Sequence, residues 1–190
     1  MNLLVISGST RRDSLNTRLA RLVRDLRPAD TVTIIKDLNT LPFYDADLEE
    51  AAGFPPAVAA LRERVAVADV VVAVTPEYNG TIPGVLGNAI DWLSRPPGGS
   101  VLDAKPTLVL SASPSRSGGI RAAQHLRAVL TDVGADVADR GMSVPSAHRR
   151  LNVRAKVDPE LAASLADLLG QTLDRRRPAP SRASTDINAA

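Results

Sequence analysis

Three stretches of the chain concentrate the residue types that bind anions or flat polar rings. The first is "SGSTRRDSLNTRLA", residues 7–20, which sets hydroxyls, two adjacent arginines and Asn16 before and into a segment of helical spacing. A helix N-terminus leaves its first amides unpaired and carries about half a positive charge. With Arg11 and the hydroxyls of Ser9, Ser14 and Thr17 added, the stretch is a cradle for a phosphate dianion. It lacks the G-K-[ST] of a triphosphate loop. A plain N-cap at Asp13 or Ser14 accounts for one side chain but not for the set.

The second stretch, "PEYNGTIPG", begins at Pro76. Asn79-Gly80 suits a tight turn with positive φ, and Pro83 suits the first turn of a helix. Such a loop offers backbone amides and carbonyls to the edge of a heterocycle, and Tyr78 offers a ring face or a hydroxyl. Glu77 is a candidate general base, although a loop carboxylate is more often solvated or salt-bridged. The third stretch, "SASPSRSGGIRAAQHLR", covers residues 111–127. Gly118-Gly119 there allows a planar ligand close to the backbone, or simply relieves crowding where a strand turns into a helix.

The remaining reactive types form no constellation. His125 lies mid-helix and His148 in a loop, neither with metal-ligand spacing, so both read as structural or surface residues. Asp91 beside Trp92 reads as a helix or interface residue. No serine sits on a G-x-S-x-G elbow, which disfavours a hydrolase. The chain has 0 cysteines, so it has no thiolate nucleophile, thiolate metal site or disulfide framework.

These stretches need elements to hold them, and the hydrophobic pattern supplies a repeating set. Short β-branched runs at 3–6, 31–35, 69–74 and 107–110 read as buried strands, with a weaker one somewhere in 135–144. Between them Leu15, Leu19, Leu22, Val23 and Leu26 share one helical face. Val58, Leu61 and Val65 mark a second helix; Val85, Leu86, Ala89, Ile90 and Leu93 a third. Ile120, Ala123, Leu126, Leu130 and Val133 mark a fourth, and Leu161, Leu165, Leu168, Leu169 and Leu173 a fifth. Strand-helix alternation of this kind predicts an α/β, doubly wound, five-stranded parallel sheet with helices on both faces. In that architecture ligands bind outside the carboxyl ends of the strands, which is where all three stretches fall. The absence of G-x-G-x-x-G after the first strand argues against the dinucleotide-binding form.

A length of 190 residues suits one domain, expected over 1–174. From 175 to 190 the periodicity is lost, and "RRRPAPSRASTDINAA" reads as a flexible tail. Hydrophobic residues are 44% of the chain, without a run long enough for a membrane span, and the first apolar run (3–6) is too short for a signal segment. A cytoplasmic protein is expected. The net charge is +2 with scattered basic residues and 3% aromatics, which disfavours nucleic acid as a partner.

Taken together, the three stretches resemble the NAD(P)H-dependent FMN reductase family, of flavodoxin-like fold. Residues 9–16, "STRRDSLN", are similar to its G-S-x-R-x-x-S-x-N phosphate loop. "PEYN" with Pro83-Gly84 and "NAIDW" (88–92) is similar to its P-E-Y-N…P-G-x-L-K-N-A-I-D-W signature. Ser113-Pro114, Gly118-Gly119 and "QHLR" (124–127) are similar to its third flavin loop. The resemblance covers about residues 1–150.

It implies that Ser9, Arg11, Ser14, Asn16 and Thr17 hold the FMN 5′-phosphate. Pro76, Glu77, Tyr78, Asn79 and Gly80 would line the ribityl chain and ring, with Ser113, Ser115, Gly118 and Gly119 on the other side. It further implies hydride transfer from NADPH or NADH to flavin N5, then electron transfer to free flavin, a quinone or an azo compound. No catalytic acid or base is called for. The resemblance also implies a homodimer or homotetramer, with the helix over 83–93 and its Trp92 as a candidate contact surface. Two positions depart from the pattern: Gly87 replaces the family's lysine, and Ser115 stands where glycine is common. The alternatives are a flavodoxin-type electron carrier and a nucleotide-binding module without catalysis. Flavodoxins are usually acidic and flank the ring with aromatics, unlike this basic, aromatic-poor chain.

Overall fold

The structure is a computed structural model and describes residues 1–152 and 157–175. Four parallel strands form its centre: β1 (Asn2–Ser7), β2 (Thr31–Ile35), β3 (Val70–Thr75) and β4 (Pro106–Ala112). Valine-rich runs make the central strands because both of their faces are covered. β3 sends Val70, Val72 and Val74 into one core and Val71 and Ala73 into the other. That is the two-residue alternation of a strand between two helical layers.

One layer contains α1 (Leu15–Asp25) and α7 (Pro159–Asp174), which pack Leu19, Val23, Leu165 and Leu169 onto the sheet. The opposite layer contains α3 (Pro56–Val67), α4 (Gly84–Leu93) and α5 (Ile120–Asp132), with Leu61, Val65, Leu86 and Leu126 buried. The strand order is β2-β1-β3-β4-β5, with β5 at Asp136–Val137. The doubly wound, parallel architecture with helices on both faces is thus as expected.

The weak strand of 135–144 is two short pieces. β5 (Asp136–Val137) pairs with the start of β4, and β6 (Met142–Val144) pairs with its end. Between them the backbone crowds β4: a Cβ on Gly141 would lie 2.5 Å from the Val109 carbonyl oxygen. A continuous side-chain-bearing strand does not fit there.

Three short helical elements were not anticipated: a 3-10 turn at Leu38–Thr40, α2 (Ala46–Ala52) and α6 (Ala147–Arg150). The segment holding the first two carries little apolar periodicity and is fastened by α4 instead. Asn88 donates to the Pro42 carbonyl (2.9 Å) and accepts from the Tyr44 amide (2.7 Å). Trp92 Nε1 donates to the same Pro42 carbonyl at 2.9 Å. Trp92 is fully buried, edge-on to Tyr44 and Phe54. Trp92 itself therefore offers no surface to a partner; the exposed residues of this helix are Gly84 and Asp91. The expected tail begins at Arg175, which caps α7 and pairs with Asp136 and Asp139. Residues 176–190 lie outside the described residues. Among the described residues no helix is long and apolar enough to cross a membrane.

Candidate functional site

Winding reverses between β1 and β3, which places the loop after β1 beside the loop after β3 at the carboxyl edge. The Gly8 amide donates to the Val74 carbonyl at 2.8 Å, so the two loops leave the sheet side by side. A Cβ on Gly8 would meet Leu86 of α4 at 3.0 Å, so glycine keeps the β1 exit close to that helix.

The first loop has the donor set of an anion cradle. Ser14 is the N-cap of α1; its hydroxyl accepts from the Asn16 and Thr17 amides at 3.1 and 3.3 Å and keeps its own proton to donate. The amides of residues 10–14 make no hydrogen bond among the described residues. Nor does the hydroxyl of Ser9, although that residue is buried. Successive unpaired amides beside a helix N-terminus are a backbone anion site. Arg11, on the same loop, is exposed.

Asn16 has a structural task. Its Nδ2 donates to the Ala112 carbonyl (3.0 Å) and its Oδ1 accepts from the Ala112 amide (2.9 Å). The buried side chain is thus a two-way clamp between α1 and the end of β4. Thr17 lies 3.4 Å from the hydroxyl of Ser7 inside the β1 exit.

The second loop closes as a tight turn. Tyr78 and Thr81 exchange both backbone hydrogen bonds at 3.0 Å, with φ of 52° at Asn79 and 82° at Gly80. Pro76 is buried and Tyr78 is exposed. Two side chains of α5 hold this turn. Arg121 donates through Nε (2.9 Å) and Nη2 (2.6 Å) to Glu77 Oε1. His125 Nδ1 lies 2.5 Å from the Thr81 hydroxyl. Histidine at this position is therefore a loop fastener.

Glu77 is a salt-bridged scaffold carboxylate. The Arg121 guanidinium holds it below the usual carboxylate range against the opposing effect of burial, and the amides of Ala122 and Arg121 add a smaller pull. Those amides do not close a hydrogen bond to Oε2, which is buried and unpartnered. Gly119, the N-cap of α5, has no side chain, so Glu77 supplies the negative charge at that helix start.

The third loop places Ser113, Ser115 and Ser117 in a line of hydroxyl contacts at 3.0 and 2.9 Å. Gly118 and Gly119 have φ of 66° and 87°. A Cβ on Gly118 would lie 2.8 Å from the Pro145 nitrogen, so crowding at the turn already demands glycine there. Arg121, one turn into α5, is the site residue that sequence reasoning passed over. Its only signal was a lone arginine just after Gly118-Gly119, with its partner acid 44 residues away.

A parallel sheet of order 2-1-3-4-5, with a backbone anion site at its switch point, defines a mononucleotide-binding protein of the flavodoxin-like class. Residues 1–149 match the family model described as NADPH-dependent FMN reductase. The chain is 38% identical over 161 residues to a quinone reductase of Escherichia coli strain K12, covering 84% of this chain and 82% of that one. It is 41% identical over 129 residues to a 2-hydroxy-1,4-benzoquinone reductase of Burkholderia sp, covering 68% and 69%. Among solved structures it resembles FerB, a flavoenzyme NAD(P)H:(acceptor) oxidoreductase from Paracoccus denitrificans. The TM-score is 0.80, with 30% identity over 91% of this chain and 95% of that one. The chain belongs to the NADPH-dependent FMN reductase family, and it is an oxidoreductase that works with FMN and NAD(P)H.

Proposed function

We propose that the chain, through FMN, passes electron pairs from NADPH or NADH to a small-molecule acceptor, with a quinone as the first choice and free flavin or an azo compound as others. The observation that carries this reading is the run of unpaired amides at residues 10–14, with the free Ser9 hydroxyl, at the sheet's switch point. Those donors fit a phosphate monoester and leave the ring to the other two loops. The quinone reductases among the relatives support the choice of acceptor.

In this reading Ser9, Arg11, Ser14 and Thr17 hold the FMN 5′-phosphate, and Asn16 fixes the loop's height above β4. Pro76, Glu77, Tyr78, Asn79 and Gly80 line the ribityl chain and ring. Ser113, Ser115, Gly118 and Gly119 form the opposite wall. When bound, FMN supplies the two-electron exchange between nicotinamide and acceptor. The chain orients both and excludes water from between them. Glu77 stays ionised under Arg121 and so donates no proton. A homodimer or homotetramer, in the cytoplasm where reduced nicotinamide is made, and a single domain over 1–174 belong to the same reading.

Visible spectra of the protein with FMN, before and after anaerobic NADPH or NADH, test it. Binding followed by bleaching of the flavin band supports the proposal. Failure to bind FMN overturns it, and binding without bleaching makes the protein an electron carrier instead.

A further inference from the structure

Arg121 combines two properties seldom found together on a surface arginine. Its guanidinium is fixed, because Nε and Nη2 both donate to Glu77 Oε1. Yet its side chain is 70% exposed, and Nη1 has no hydrogen-bond partner among the described residues. Glu77 is only 12% exposed, so the anchor cannot swing outward with the arginine. Fixing a long side chain removes the rotamer entropy that a ligand would otherwise have to overcome.

The guanidinium is also placed at the site mouth. It lies 3.5 Å from where a Cβ on Gly80 would sit, beside the turn at 78–81. The surrounding charge is one-sided. Arg11 and Arg12 follow β1, Arg116 follows β4, and all three are exposed. The acids on the three loops are Asp13 and Glu77, and Glu77 is already paired. With Arg121 and Glu77 cancelling each other, the excess is about two positive charges, which draws anions toward the mouth but is balanced by one phosphate dianion. A second anion is therefore held by direct contact with the fixed guanidinium.

We infer that Arg121, aimed by Glu77, binds a phosphate group of the nicotinamide dinucleotide; this rests on the functional reading above. Arg121 is the substrate-binding residue and Glu77 its positioning residue. The free edge of the guanidinium offers the N–H geometry that phosphate oxygens accept. The dinucleotide carries such oxygens on its pyrophosphate and, in NADPH, on the 2′-phosphate.

The test uses full-length protein and begins without flavin. Calorimetric titration with ADP and with adenosine 2′,5′-bisphosphate is compared for wild type, Arg121→Gln, Arg121→Lys and Glu77→Gln. FMN affinity is measured for each, and then KM and kcat with NADPH and NADH on the FMN-loaded forms. At least one probe should bind Arg121→Gln tenfold or more weakly. KM for the matching nucleotide should rise by a similar factor, clearly larger than any change in FMN affinity. Arg121→Lys should recover part of the loss. Glu77→Gln should show a smaller rise in the same KM. Loss confined to the bisphosphate and NADPH assigns the 2′-phosphate; loss for ADP and both nucleotides assigns the pyrophosphate. Unchanged binding of both probes overturns the inference, as does no binding of either by wild type or an equal loss of FMN affinity. Failure of the wild type to bind FMN, or to be bleached by either nucleotide, strikes the functional reading instead.

Discussion

At the scale of single residues, the proposed phosphate site divides the first loop's side chains into those free to meet a ligand and those that hold the loop itself. Ser14 can serve both ends, since its oxygen caps α1 and its proton remains available to a ligand. Arg11 has no structural task among the described residues, so its removal should cost ligand and not fold. A charged hydrogen bond contributes about 1.5–3 kcal/mol, roughly a tenfold to hundredfold change in affinity. Arg11→Ala should weaken FMN binding by that factor while the melting temperature stays put; unchanged affinity in a fluorescence titration would reject the phosphate assignment. Asn16 is the opposite case. Asn16→Ala leaves a buried amide and carbonyl of Ala112 unpaired, at a cost of about 2–3 kcal/mol. That loss should appear in urea unfolding of the flavin-free protein, where a mere phosphate ligand would have no effect.

At the scale of elements, helix ends explain several side chains that look misplaced in a linear reading. Arg62 is buried on α3 with no carboxylate in hydrogen-bond contact. It donates to the carbonyls of Trp92 (2.9 Å), Leu93 (3.1 Å) and Gly99 (3.0 Å) and lies 4.0 Å over the Phe54 ring. Burial pulls its pKa down, yet a guanidinium stays charged, and the charge sits where the α4 dipole ends. Arg62→Met fills the volume but unpairs three carbonyls, so a stability loss of about 2–3 kcal/mol is expected. Lys in its place should recover little, because one ammonium does not span three carbonyls on two segments. Equal melting temperatures for Arg62→Met and wild type would refute the capping role.

At the scale of the whole molecule, the sheet and its main helices were legible because they depend on local periodicity. The valine run of β3 and the leucine stripe of α7 carry their own signals, and the three loops fell at the strand ends as the architecture requires. What was not legible joins segments far apart in sequence. Asn16 reaches Ala112, Asn88 reaches Pro42 and Glu77 reaches Arg121 across 96, 46 and 44 residues. No spacing rule reports such a pair.

Long-range ties of this kind also govern the response to acid. Four carboxylates are held below their usual range: Asp30 by a hydrogen bond from the N-terminal ammonium, Glu49 by Arg95, Glu77 by Arg121 and Asp158 by Arg150. A depressed folded pKa means that the unfolded chain takes up protons first as pH falls. The stabilisation is complete above the unfolded pKa, near 4, and is lost as pH drops through the folded values. Asp91 acts in the opposite sense: burial raises its pKa, so its small contribution is present in acid and lost as pH rises through the folded value. The sum predicts a melting temperature that is level between about pH 7 and 5.5 and falls steeply below about pH 4.5. Glu49 isolates one tie, since it joins α2 to Arg95 (2.9 Å) and to the Tyr44 hydroxyl (3.0 Å). Glu49→Gln should melt lower than wild type at pH 7 and approach it at pH 3.5, because the wild-type carboxylate is then losing its charge. Parallel melting curves across the whole pH range would show that the Glu49–Arg95 pair contributes nothing to acid sensitivity.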